Sequence, residues 1–426
     1  MAVIKTSSRN QRISNNIIPL IFSASCLLSM SVIHASAASV RRVNSCGSLR
    51  SMARVYMASG GYEKAQPFLV KALRVAKQTN ASDSEVSSCM IDLAYLYKNQ
   101  GRWLQAERVC RSGLELQEKA YSQSHPYVAY TLRILSEIYR NQARYRQAAE
   151  TLGRAITIVR GFCLEDDQEL APFKVDMARL LATQGYYVKA ESYYKDAITS
   201  IENSYGPNHL YTTKVLCSMA ALYLHQGRSA EAEELISRVL PIQKRVYGPD
   251  HHFLVPVLLV QSDIYLLEGD LVNTERLLEK SLCLVENIAG SGYMVECDVL
   301  GRLGRLYILT KEYKKAEDIL QRELEILQNS NGADTDRAAI ALNSLARIYL
   351  TQGKYSEAQS LCTRALDILE NIFDENHPNI ADVLDTQIQL NRETGNMTEA
   401  ARLERRAEEI RMSKRIAYAP VAQAME

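Results

Sequence analysis

The sequence predicts an all-α solenoid of about nine helix-turn-helix repeats, on three observations. A turn position between two helical patterns recurs at Gly60, Gly101, Ala143, Gly185, Gly227, Gly269, Lys311, Gly353 and Gly395, first after 41 residues and then seven times after 42. Tyr stands four residues before most of these turns, which accounts for a chain with 24 Tyr but 6 Phe and 1 Trp. Small residues recur seven before and five after the turn in most units, so two helices can approach closely at the same place.

The units follow in order. The first reads Leu49, Ala53 and Tyr56 ahead of Gly60 and Ala65 behind it; the second reads Met90, Ala94 and Tyr97 ahead of Gly101, then Ala106. The third has Leu132, Ser136, Tyr139 and Ala148 around Ala143 in place of Gly. The fourth keeps Ala178 and Ala190 about Gly185 but has Leu181 for Tyr. The fifth is regular (Leu216, Ala220, Tyr223, Ala232), and the sixth (Leu258, Ser262, Tyr265) departs at Thr274. The seventh has Leu300, Gly304, Tyr307 and Ala316 about Lys311; the eighth is regular (Leu342, Ala346, Tyr349, Ala358). The ninth keeps Leu384 and Ala400 but loses the pattern at Ile388 and Asn391. Spacings of 3, 4 and 7 put these positions on one helical face. One hairpin cannot bury that face, whereas a stack buries a continuous core. Nine units with helices about 8 to 10 Å apart make a curved rod on the order of 80 to 90 Å long. Pro67 and Pro172 are expected near helix starts, while Pro241 falls inside a helix and is expected to kink it. The solenoid is expected over 38–411, its last helix (Glu399 to Arg411) a charged cap, with 412–426 a flexible tail.

Composition excludes other classes. With 10 Pro and 19 Gly in 426 residues and 47% hydrophobic content, the chain is neither collagen-like nor disordered. Fifty Lys plus Arg against 49 Asp plus Glu gives a formal charge of +1 and no reason to expect nucleic acid as a partner.

The N-terminus reads as a secretory signal peptide over 1–37: Lys5, Arg9 and Arg12, then an apolar stretch from Ile17 to Ile33, then Ala35-Ser36-Ala37 for cleavage. Export to the periplasm or outside the cell is the expectation, with no membrane span after cleavage. The alternatives are an uncleaved anchor, which its serines weaken, lipid attachment at Cys26, and a cytosolic adaptor. Eight cysteines follow: Cys46, Cys89, Cys110, Cys163, Cys217, Cys283, Cys297 and Cys362. Most read as small buried hydrophobes. Cys283 and Cys297, flanking one connection, are the first candidates for a disulfide.

No catalytic residues, metal ligands or cofactor sites are expected. The chain has no Gly-rich phosphate loop, His-Glu-x-x-His, Gly-x-Ser-x-Gly or metal-spaced cysteines. His125, His209, His251 and His377 recur once per unit at one position, so they read as structural loop residues that do not converge on one ion. Cys217 and His225 are eight residues apart on a helix, about 12 Å by helical rise, too far for an activated thiolate.

The order large residue, small residue, Tyr, Ala and Ala across two helices resembles the tetratricopeptide repeat. The 42-residue period, with Tyr205-Gly206-Pro207-Asn208-His209, Tyr247-Gly248-Pro249-Asp250-His251, Tyr121 to Pro126 and Asp374 to Pro378 between units, is similar to the kinesin light chain type. The resemblance covers residues 45–411 and implies a right-handed superhelix that binds a partner on its concave face. That face, in the family, is lined by residues 13, 10, 6 and 3 before the turn. Units one to five then carry Arg50, Arg54, Lys98, Arg133, Arg140, Arg179 and Lys214 against Glu137, with Tyr95 and Tyr130 beside them. Units six to nine carry Arg305, Arg347 and Arg392 against Asp263, Asp298, Asp382, Asp385 and Glu393. Kinesin light chain repeats often have Asn ten residues before the turn; only Asn343 keeps it. The kinesin cargo role is not implied. The expectation is a non-catalytic module whose basic half-groove takes a protein or acidic peptide, since Arg suits bidentate recognition of carboxylates. The alternative is an envelope scaffold acting by self-association through helix edges and a Tyr-rich convex face.

Overall fold

The computed structural model describes residues 45–423 apart from 59, 143, 164–167, 287–292, 330–334 and 374–376. The expected signal peptide over 1–37 with Cys26, the turn residue Ala143, and Asp374 to Asn376 lie outside the described residues. Nine helix pairs follow one another: α1 (Cys46–Ala58) and α2 (Tyr62–Gln78), α3 (Asp83–Asn99) and α4 (Trp103–Ala120), α5 (Pro126–Asn141) and α6 (Tyr145–Arg160). Then come α7 (Ala171–Thr183) and α8 (Tyr187–Tyr205), α9 (Leu210–His225) and α10 (Ser229–Tyr247), α11 (Val255–Leu267) and α12 (Leu271–Glu286). The last are α13 (Tyr293–Leu309) and α14 (Tyr313–Asn329), α15 (Asp336–Thr351) and α16 (Tyr355–Ile372), α17 (Pro378–Glu393) and α18 (Met397–Gln423). Among the described residues there is no strand.

The turn residues do what their position demands. Gly60, Gly101, Gly185, Gly227, Gly269, Gly353 and Gly395 have φ between 70° and 83°, and Lys311 has 64°. That left-handed step lets the next amide reach back to the carbonyl four residues before the turn, in every unit from Gly61 to Tyr56 (2.7 Å) to Asn396 to Asn391 (2.7 Å). The small positions are fully buried: Ala53 against Ala65, Ala94 against Ala106, Ala178 against Ala190, Ala346 against Ala358. Gly304 takes that place in the seventh unit because Leu320 fills it; an added Cβ would lie 2.7 Å from Leu320 Cδ2.

The recurrent histidines cap the first helix of their units, or, for His251, the single 3-10 turn (His252–Leu254) that leads into it. The Nδ1 atoms of His125, His209, His251 and His377 each accept the amide two residues on at 3.2 Å. Their rings stack on Tyr121, Tyr205, Tyr247 and Phe373. The recurrent Tyr before each turn glues units together. Tyr223, Tyr307 and Tyr349 donate to Glu191, Glu275 and Glu317 of the preceding unit at 2.9 to 3.0 Å. Arg102, Arg144 and Arg228 lie over Tyr97, Tyr139 and Tyr223, 4.0 to 4.6 Å from the ring centres. Tyr139, Tyr223 and Tyr307 are therefore buried at a seam, whereas Tyr205 and Tyr355 on second helices are exposed.

First helices touch the first helices of neighbouring units, α1 on α3, α5 on α7 and α9 on α11, whereas second helices contact one another little. The first-helix layer therefore has the shorter radius and is the concave one. Here the expected rod needs correction, because the curve closes on itself. Trp103, opening α4 in the second unit, packs against the cluster that holds Ala339 and Leu342 of the eighth. At Gly101 a Cβ would meet Thr335 at 3.5 Å, and α18 touches α6. Six units thus complete a turn: a small rotation per unit, repeated without a break, sums to a coil.

Three smaller differences follow. Pro172 opens α7 and Pro241 lies inside α10 (Ser229–Tyr247), both as expected, but Pro67 lies in the second turn of α2. Packing of the apolar face offsets the one hydrogen bond each proline removes. The last helix reaches Gln423, past residue 411. The cysteines the sequence put first for a disulfide have different surroundings: Cys297 is buried with Leu327 and Ala338, Cys283 is exposed, and no disulfide joins them. The two lie on successive helices, α12 and α13, Cys283 at an exposed position and Cys297 inside the core.

A candidate partner-binding groove

Charge along the first-helix layer is arranged as a ladder between consecutive units. Arg50 and Arg54 on α1 donate to the two oxygens of Asp92 on α3, at 2.7 and 2.9 Å. Lys98 on α3 reaches Glu137 on α5 at 2.7 Å, and Arg133 on α5 reaches Asp176 on α7 at 2.8 Å. Arg179 lies 3.4 Å from the other oxygen of Asp176 and donates to Ser218 on α9 at 2.9 Å. In the later units Arg302 pairs with Asp263 at 3.2 Å and Arg337 pairs with Asp298. Arg411 and Asp385, and Arg392 and Glu404, pair at the end of the coil.

Asp92, Asp176 and Arg302 were missed in the sequence because they stand nine residues before their turns. That place lies between the positions 13 and 6 before the turn at the helical spacing of four and three, and counting it would have found them. The basic and acidic halves expected from the shorter set are accordingly neutralised in part by neighbours on the next unit.

The ladder is uneven across the second to fourth units. Burial pushes the Glu137 carboxyl up, but Lys98, Arg140 and Arg133 overcome this and hold it down to about 2. Glu137 is therefore ionised and shared among three cations. Asp176 serves Arg133 and Arg179. Two carboxylates answer four cations, and the buried Nε of Arg133 has no hydrogen-bond partner. Arg133 also lies 5.8 Å from the centre of Phe173, whose ring is 5.4 Å from that of Tyr130. Burial raises the phenol of Tyr211, on α9, while Arg133 and Arg179 nearby lower it and Asp176 adds to the rise.

The remaining expected residues are spread out. Tyr95 is exposed with the Lys98 ammonium 4.7 Å over its ring. Lys214 on α9 is exposed and makes no ion pair within 4.0 Å among the described residues. Asn343, on α15 in the eighth unit, donates to the Asp382 carbonyl at 3.3 Å, and its side-chain oxygen is buried without a partner. The structure brings together Lys98, Arg133, Arg140 and Arg179 with Tyr130; Arg50 and Arg54 form a separate pair on Asp92, and Asn343 stands apart in a different unit.

The tetratricopeptide repeat profile matches residues 89–161, 170–245, 212–287, 295–371 and 336–413. The chain belongs to the tetratricopeptide repeat family. A comparison with curated protein sequences finds none that matches. Among solved structures, this tetratricopeptide repeat protein is similar to BtubC (BKLC) from P. vanneervenii, at 16% identity over 55% of this chain and 92% of that one, TM-score 0.41. It is also similar to a Rap protein complexed with Competence and Sporulation Factor, at 17% identity over 66% and 76%, TM-score 0.49. A third is the apo quorum sensor NprR from B. thuringiensis, at 14% over 75% and 86%, TM-score 0.49. Among the described residues of this tetratricopeptide repeat protein, no helix is long and apolar enough to cross a membrane.

Proposed function

We propose that this chain is a non-catalytic protein–protein interaction module that takes an acidic segment of a partner protein on its concave face. The observation that carries this is the excess of cations across the second to fourth units: Lys98, Arg133, Arg140 and Arg179 about Glu137 and Asp176. A partner carboxylate beside Arg140 and Arg179 supplies the missing counter-charge, and the rings of Tyr130 and Tyr211 offer apolar surface next to it. Family membership supports the reading, since repeat solenoids present extended concave binding surfaces. Export belongs to the same proposal and rests on residues 1–37 alone.

The test uses labelled acidic, neutral and basic peptides of equal length, with fluorescence anisotropy on the chain from residue 38. The acidic peptide binds, and binding weakens as salt rises from about 0.05 to about 0.5 M, because the screening length between exposed charges falls from about 14 Å to about 4 Å. Arg140→Glu with Arg179→Glu lowers affinity about tenfold or more. Equal binding of acidic and basic peptides, or binding of neither, overturns the proposal. The mass of the mature N-terminus tests export: a chain beginning at residue 38 supports it, and an intact residue 1 refutes cleavage.

A further inference from the structure

Two cysteines meet that the sequence did not pair. Cys46 opens α1 and Cys89 lies in the second turn of α3, 43 residues later, with their Sγ atoms 3.1 Å apart. We propose that Cys46 and Cys89 form a disulfide that staples the first repeat to the second. A bonded pair needs about 2.05 Å between sulfurs, so the atoms must close by roughly 1 Å, within reach of side-chain rotation.

Three features of the surroundings favour this bond. Both side chains belong to one apolar cluster with Leu49, Ala72 and Ala76, so neither sulfur has to leave its packing to reach the other. Arg50 stands one helical turn after Cys46, and its guanidinium lies close enough to both sulfurs to interact electrostatically with each. At Cys89 that cation favours the thiolate needed for exchange, while Asp92, its ion-pair partner, opposes it. Access is graded: Cys46 is half-buried, whereas Cys89 is fully buried. An oxidant therefore meets Cys46 first, with Cys89 placed behind it as the resolving thiol.

The oxidant is a small-molecule disulfide of the glutathione class. The Cys46 thiolate attacks one of its sulfurs, forming a mixed disulfide and expelling one small thiolate. Cys89 gives its proton to solvent and attacks Cys46 Sγ, forming the protein disulfide and expelling the second thiolate. Two protein thiols are oxidised and one small disulfide is reduced to two thiols. Burial raises the Cys89 thiol well above its usual range, so the second step is slow at neutral pH and quickens as pH rises.

A terminal repeat has one neighbour instead of two and frays most easily. The staple joins the same two helices that Arg50, Arg54 and Asp92 join, so oxidation holds the first rung of the ladder in register. This inference is independent of what the groove binds.

The experiment incubates the chain from residue 38 with oxidised and reduced glutathione at several ratios, then alkylates, digests without reduction and maps peptides by mass spectrometry. A Cys46–Cys89 linked peptide is expected, with two thiols lost from the count, and hydrogen exchange of α1 amides slowed about tenfold or more relative to the reduced chain. Cys46→Ala and Cys89→Ala each abolish the linked peptide; Cys46→Ala leaves Cys89 unmodified, and Cys89→Ala leaves glutathione on Cys46. Circular dichroism of both variants shows that the helices remain. Glutathione persisting on Cys46 in the unsubstituted chain, a link to another cysteine, or both thiols still free where an exposed thiol is fully oxidised, overturns the proposal.

Discussion

The contact that closes the coil can be broken at one residue. Trp103 is the single Trp of the chain, and it packs on the cluster of Ala339 and Leu342 six units further on. The Asp336 carboxyl lies beside it and is raised in pKa by burial, with Arg337 opposing. Truncating a fully buried Trp to Ala costs about 3–5 kcal/mol. Trp103 is half-buried, so its share of the closure is about 2 kcal/mol, or roughly a 30-fold shift from closed to open coil. The stacking of neighbouring units does not pass through this contact. Trp103→Ala is therefore expected to raise the radius of gyration in small-angle X-ray scattering and to speed amide exchange in the first turn of α15, while α5 to α12 stay protected. In the unsubstituted chain the indole fluorescence reports the same contact, shifting to longer wavelength when the coil opens. An unchanged radius together with unchanged exchange in α15 refutes the coil as the solution shape.

Other consequences are as direct. Lys311 holds φ at 64° where seven other described turns have Gly; Lys311→Gly is expected to stabilise the seventh unit by about 1 kcal/mol in urea unfolding, and a loss would mean the Lys side chain holds the turn. Gly304→Ala forces a Cβ to within 2.7 Å of Leu320 Cδ2 and 2.9 Å of Cγ. The overpacking cost of about 1–3 kcal/mol exceeds the gain in helix propensity of about 1, so a net loss is expected that Leu320→Val recovers. Glu323 is buried beside Arg337, with Asp298 and Arg305 nearby, and burial raises its carboxyl from 4.5 to about 7. Its folded form holds a proton more tightly than the unfolded chain, so its contribution is full below about 4.5 and is lost as pH rises through about 7. Stability measured across that window is expected to fall with a slope up to about 1.4 kcal/mol per pH unit, and Glu323→Gln is expected to flatten it.

Much of the fold was legible because the repeat unit is local. Gly60 and its successors adopt a left-handed step that the small residue itself permits, and Tyr56 or Tyr97 stands at a fixed distance along the same helix. Even the histidines, read as structural loop residues, act within two residues of themselves as caps. The groove was legible only in part. Arg50, Lys98 and Arg133 were found by position, but their partners Asp92, Glu137 and Asp176 sit one unit along, and two of these occupy a register that the family pattern leaves out. Cys46 and Cys89 were present in the sequence without any sign that they meet, since 43 residues of intervening helix, turn and helix set their separation.

The sequence by itself determined the unit, its period and the face that each helix buries, because those depend on side chains three and four residues apart. Tertiary structure alone decided which cations have counter-charges, which cysteines touch, and that Trp103 reaches Ala339. The physical reason is accumulation: each unit is rotated slightly on the last, and the rotation rests on the packing at every seam. No single repeat carries that sum, so neither the pairing across units nor the closing of the coil can be read from one period of the pattern.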